Sequence, residues 1–120
     1  MKESAGRLNR ALWLSVVVYG ITALLDSTTT YLCLSLIPNA YETNIYVASM
    51  LWTPLHPLIE IFTIFLLATL VATFSAISSK LDRKTTEPAS LAMIIAIAVA
   101  SIARAYGFAN NLYILLTVKH

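Results

Sequence analysis

The stretch Ala11–Ile37, ALWLSVVVYGITALLDSTTTYLCLSLI, decides the fold. It is an apolar run of more than the ~20 residues a helix needs to cross the hydrocarbon core. Yet it carries Asp26, and Ser15, Tyr19, Thr22, Asp26, Thr29 and Cys33 recur at alternating spacings of four and three. That period is a single stripe along a helix, so one face of a membrane-length segment is polar. Lys2, Arg7 and Arg10 precede the run and imitate the start of a signal peptide. The run is far longer than a signal core of about 7–15 residues, and no small-x-small cleavage site follows, so it reads as a retained helix.

Working outward, Pro38-Asn39 ends this helix, and two more long apolar segments follow at about 58–77 and 89–118. The whole chain of 120 residues is 58% hydrophobic and 12% charged, with a mean hydropathy of +0.76. Soluble domains carry about 25% charged residues. A soluble enzyme is therefore excluded, and a net charge of +2 without a basic patch excludes a nucleic-acid partner. The lone Cys33 allows no internal disulfide and no cysteine zinc motif. The expected fold is all-α: one integral membrane domain over 1–120, three transmembrane helices at about 11–37, 58–77 and 89–118, its partner the lipid bilayer.

Residues 45–55 are apolar but too short to span. Pro54 and Pro57 bracket the junction with the next helix, and Tyr41, Tyr46 and Trp52 lie close by. Aromatic residues favour the membrane–water boundary, so the segment reads as interfacial or re-entrant. Lys2, Arg7 and Arg10 in the tail and Lys80, Arg83 and Lys84 in the second loop contrast with a first loop, 38–44, that has no lysine or arginine. The positive-inside rule then places the N-terminus in the cytoplasm and the C-terminus outside a plasma or inner membrane.

Ionisable groups inside a bilayer are costly and face the bundle interior or a watery cavity, which makes them the functional candidates. Four stand within or near the spans: Asp26, His56, Glu60 and Arg104, with Glu42 just beyond the first helix. At about 1.5 Å per residue from the cytoplasmic ends, Asp26 and Arg104 lie roughly 22 Å up, Glu60 roughly 26 Å, and His56, Asn110 and Asn111 roughly 32 Å. Three helices bring polar groups to one level, implying a pocket toward the outer leaflet. Ala92, Ala96 and Ala100 below it form a small-residue stripe expected to serve as the helix-packing seam.

These residues admit more than one reading. Asp26 with Arg104 is a candidate ion pair fixing helix register. Asn110 and Asn111 are candidate interhelical hydrogen-bonders, and the hydroxyls of Thr28–Thr30 can bond back to the helix. His56 and Glu60, four apart on one helical face, are candidate ligands for zinc or another divalent metal, with Asp26 or Glu42 as the third. Three functions follow: a non-catalytic subunit working as a homo-oligomer or in a larger membrane complex, a metal-dependent membrane enzyme acting on a lipid headgroup or peptide, or a small oligomeric proton-coupled transporter.

The stretch Leu24–Tyr46, LLDSTTTYLCLSLIPNAYETNIY, resembles a family of small archaeal and bacterial membrane proteins defined only as a domain of unknown function. That family carries an Asp in its first helix, a Thr a few residues on, and Glu-x-Asn-Pro after the helix. Asp26, Thr29 or Thr30, Glu42 and Asn44 match it, and Ile45 stands in place of the Pro. Asn110-Asn111 near the end of the last helix also fits. The resemblance implies a compact membrane-helical fold and a constellation of Asp26, Glu42 and Asn44. It implies no activity.

Overall fold

A computed structural model describes residues 2–42 and 45–118. The chain is all-α: α1 Lys2–Leu36, α2 Ile45–Met50, α3 Leu55–Ser78 and α4 Arg83–Thr117. Three of the four, α1, α3 and α4, contain windows long and apolar enough to cross a membrane, the architecture of a multi-pass membrane protein. Large apolar side chains point outward from all three, as from Leu14, Ile21, Phe62, Phe65, Ile95 and Ile102. A helix apolar all round is stable only in a core or in lipid.

Each helix begins or ends where local chemistry dictates. α1 starts well before Ala11, because the polar first turns are rich in good helix formers while only the apolar part marks the span. It ends at Leu36 before Pro38, and Asn39 adopts φ 65°, a left-handed conformation that asparagine tolerates at helix ends. α3 starts at Leu55, not 58. Pro57 falls in its first turn, where backbone N–H groups have no intrahelical acceptor, so the ring costs no hydrogen bond. α4 starts at Arg83, not 89, because Asp82 caps it: the carboxylate accepts from the Lys84 N–H at 3.3 Å. Pro88 sits inside this helix, one turn further on.

The segment expected at 45–55 resolves into α2 and a turn. Six residues rise only about 9 Å, so α2 cannot cross. Leu51 behind it is buried, 3% exposed, and tucks this connection against the bundle.

Helix α1 is the centre of the molecule. α4 packs along it, α3 touches it at fewer places, and the α3 and α4 backbones stay apart. α1 and α4 run parallel: Ser27 meets Arg104 and Cys33 meets Asn111, pairs separated by 77 and 78 residues. α3 runs antiparallel to α1, since Asn9 bonds Ser75 at one end and Tyr31 bonds His56 at the other. The apolar core of Leu12, Val16, Val71 and Ile97 lies toward the α1 N-terminal half.

The alanine stripe is a correction. Ala92, Ala96 and Ala100 are exposed, whereas the buried residues of α4 are Ser90, Ile97 and Ser101. The packed face carries small side chains at Ser90 and Ser101 beside Ile97, and it lies about a third of a turn round the helix from the alanines.

Candidate functional site

The polar stripe of α1 turns toward α4, as its spacing requires. Thr29 and Cys33 are buried, and Ser15, Tyr19, Thr22 and Asp26 are half-buried. Because the two helices are parallel and keep a near-constant offset, Asp26 and Arg104 meet. Arg104 Nε lies 3.2 Å from Asp26 Oδ2. The angle is poor for a directed bond, and Nε has no hydrogen-bond acceptor, so this contact is charge pairing. Nη2 shares its protons among Glu60 Oε1 at 2.8 Å, the Ala23 carbonyl at 3.0 Å and Ser27 Oγ at 3.0 Å. One guanidinium on α4 therefore engages carboxylates from both other long helices.

His56 completes the centre from the first turn of α3. Its Nε2 stands 3.8 Å from Glu60 Oε1, the i,i+4 contact that an unbroken first turn allows. Its Nδ1 lies 2.9 Å from the Tyr31 hydroxyl, which also lies 2.6 Å from the Leu51 carbonyl. A carbonyl only accepts, so the tyrosine proton goes to Leu51 and His56 Nδ1 must donate to Tyr31. A neutral ring would then present an Nε2 lone pair to a carboxylate, and a doubly protonated ring makes that contact attractive. Trp52 and His56 each pack edge-on against Tyr31, with ring centroids 5.5 Å apart in both cases.

A second polar layer lies beyond Asp26 toward the α1 C-terminus. Asn111 Nδ2 donates to Thr30 Oγ1 at 2.9 Å and Thr29 Oγ1 at 3.1 Å, with the Asp26 carbonyl at 3.5 Å. Both threonine hydroxyls donate onward to carbonyls of their own helix, as expected of hydroxyls in the bilayer. Cys33 Sγ donates to the Asn111 carbonyl at 3.4 Å. Gly107 makes this closeness possible: a Cβ there would collide with Asp26 Oδ1 and lie 2.9 Å from its Cγ.

Beside the ion pairs is a cavity of about 290 Å³. Asp26, Ser27 and Thr30 of α1 line it, with Arg104, Gly107, Asn110 and Asn111 of α4, Glu42 of the loop, Val47 of α2 and His56 of α3. Asp26, Thr29, Thr30, His56, Glu60, Arg104 and Asn111 are thus linked by contact, while Glu42 and Asn110 join them at the cavity. Asn44 lies outside the described residues.

The divalent-metal reading of His56, Glu60 and Asp26 meets a different geometry. Arg104 stands between the two carboxylates, and among the described residues no group of three or more His, Cys, Asp and Glu side chains is placed to hold a metal ion. Sequence reasoning passed over Ser27 and Tyr31. Each lies off the stripe through Asp26, one residue and five residues on, and each bonds a group from another element. Comparison with family models, curated proteins and solved structures finds no match.

Proposed function

We propose that this chain is a non-catalytic component of a cell membrane, in which the Arg104 centre locks three transmembrane helices in one register. The locked bundle then works as a homo-oligomer or within a larger membrane complex. The carrying observation is that Arg104 pairs with Asp26 of α1 and Glu60 of α3 at once. The guanidinium's Nε and Nη2 face the chain's own carboxylates on two other helices, which supports a structural role. The resemblance to the small membrane-protein family is supported by the gathering of Asp26, Thr30 and Glu42 at one cavity. In the proposed orientation, the N-terminus and the turn between α3 and α4 lie in the cytoplasm, and the cavity opens toward the outer leaflet. The Arg and Lys distribution supports it.

The test is a substitution cycle on the centre. Arg104→Gln alone strands two carboxylates and should cost about 3–5 kcal/mol, the usual penalty of leaving a buried charge unpaired. Arg104→Gln with Asp26→Asn still strands Glu60, so recovery should be partial. The triple variant that adds Glu60→Gln removes every stranded charge and should recover most of the loss. Thermal unfolding and mass in detergent, measured together, read both stability and assembly. If Arg104→Gln melts like the wild type and keeps its assembly state, the locking role is wrong.

A further inference from the structure

The fold makes a basic patch that the sequence keeps in two pieces. Residues 2–10 begin α1, and residues 80–87 form the turn into α4 and its first turn. Both lie at one end of the bundle, where Leu8 and Asn9 share a cavity of about 230 Å³ with Ser79 and Arg83. The two pieces together carry six lysines and arginines against three carboxylates. That excess is a sum of charges, so it stands whichever ion pairs form, and it is larger than the net +2 of the whole chain.

Several polar groups of the cavity wall serve the fold. The Ser78 and Ser79 hydroxyls donate to the Ser75 and Ala76 carbonyls, and Ser75 donates to Asn9 Oδ1 at 2.5 Å. Arg83 Nε pairs with Glu87 at 3.0 Å. Asn9 Nδ2 and the hydroxyls of Thr86 and Ser90 have no acceptor among the described residues. Ser90 is the deepest of these. It is 6% exposed, against 5% for Ser101 on the same helix. Ser101 donates to the Ile97 carbonyl one turn back, as hydroxyls in membrane helices do, whereas Ser90 makes no such bond and lines the cavity. A buried hydroxyl without a partner is costly, and a ligand oxygen in the cavity completes it.

We propose that this cavity binds the phosphate of an anionic membrane phospholipid. Asn9, Thr86 and Ser90 donate to the phosphate oxygens, and exposed Arg7, Arg10, Lys80 and Lys84 supply the positive field around them. Basic pockets between transmembrane helices suit such head groups. Glu87 also lines the cavity, and its pairing with Arg83 offsets its repulsion of an anion. Leu8, Leu12 and Phe74 make the rest of the wall apolar, which favours a phosphate that arrives on a hydrocarbon tail over a free, hydrated one. The inference goes beyond the Arg104 centre, which lies on the other side of the apolar core, and does not depend on it.

Full-length protein in a neutral detergent is titrated with phosphatidylglycerol, with phosphatidylcholine of the same chains, and with glycerol phosphate and inorganic phosphate. Native mass spectrometry counts the molecules held per chain, and the melting temperature shows that each variant is folded. The expected result is a single saturable phosphatidylglycerol, bound at least about tenfold more tightly than phosphatidylcholine or either soluble phosphate. Ser90→Ala should weaken it about tenfold, the equivalent of one hydrogen bond to a charged group. Lys80→Gln and Lys84→Gln should each weaken it about fivefold. Three results would overturn the proposal. Equal binding of phosphatidylcholine would mean that the charge is not read, and equal affinity for a soluble phosphate would remove the lipid as occupant. Unchanged phosphatidylglycerol affinity in a folded Ser90→Ala protein would reduce the binding to attraction by a charged surface.

Discussion

At the scale of single residues, the molecule turns on how closely a carboxylate can approach a helix backbone. Gly107 and Gly20 are both helical, so at either one alanine should gain up to about 1 kcal/mol of helix propensity. Their surroundings reverse that at one of them. A Cβ at Gly20 would meet Ile64 Cγ2 at 3.9 Å, an ordinary contact, and Gly20→Ala should be neutral or stabilising. A Cβ at Gly107 would strike the Asp26 carboxylate, which Arg104 holds in place. Gly107→Ala should therefore destabilise by about 1–3 kcal/mol, the usual cost of overpacking. Melting the two variants side by side in detergent checks the opposite signs. Asn111 is the other single residue with large leverage. Asn111→Leu keeps the branched side-chain skeleton but removes the amide that ties α4 to Thr29 and Thr30, and should cost about 0.6–1.7 kcal/mol, the range for interhelical hydrogen bonds in membranes.

At the scale of elements, the two prolines inside helices make a second opposed pair. Pro57 occupies a first-turn position of α3, so Pro57→Ala should change stability by less than about 0.5 kcal/mol. Pro88 lies deeper in α4, where its missing N–H leaves the Lys84 carbonyl without its helical partner. Pro88→Ala should rigidify the start of α4, and slower hydrogen exchange across residues 84–90 would show it. Much of this layer was legible in the sequence. Polar residues inside apolar runs are costly, so their stripe on α1 and their common depth on three helices carried real information. The depth arithmetic that levelled Asp26 with Arg104 held because parallel helices keep a constant offset. The helix starts at 2, 55 and 83 were not legible from hydropathy, which marks the bilayer-compatible part and not the helix. Nor was the packed face of α4. In a membrane helix the lipid-facing side is as apolar as the buried side, so Ala92, Ala96 and Ala100 carried no sign of pointing outward. Tyr31 and Ser27 were hidden for a related reason: their partners lie on other elements, and no spacing within one helix announces them.

At the scale of the whole molecule, the distribution of lysine and arginine predicts an orientation that labelling can test. The two basic segments share an end, because Asn9 of α1 bonds Ser75 of α3 and Arg83 opens α4 beside them. α4, at 35 residues, is about 52 Å long against a hydrocarbon core of about 30 Å. It must therefore tilt or emerge, and its basic, Asp82-capped start is the part suited to emerge into water. Cys33 supplies a quiet background for the test: it is the one cysteine, 7% exposed, and its thiol is bonded to the Asn111 carbonyl. Wild-type protein in intact cells should thus react little with a membrane-impermeant maleimide. Cysteine at Tyr41, an exposed position beyond the α1 C-terminus, should label in intact cells if that end faces outward. Cysteine at Ser79, exposed in the turn between α3 and α4, should label only after the membrane is opened. The reverse pattern would invert the topology and turn the polar cleft toward the cytoplasm, and labelling of both sites in intact cells would mean that both orientations are inserted.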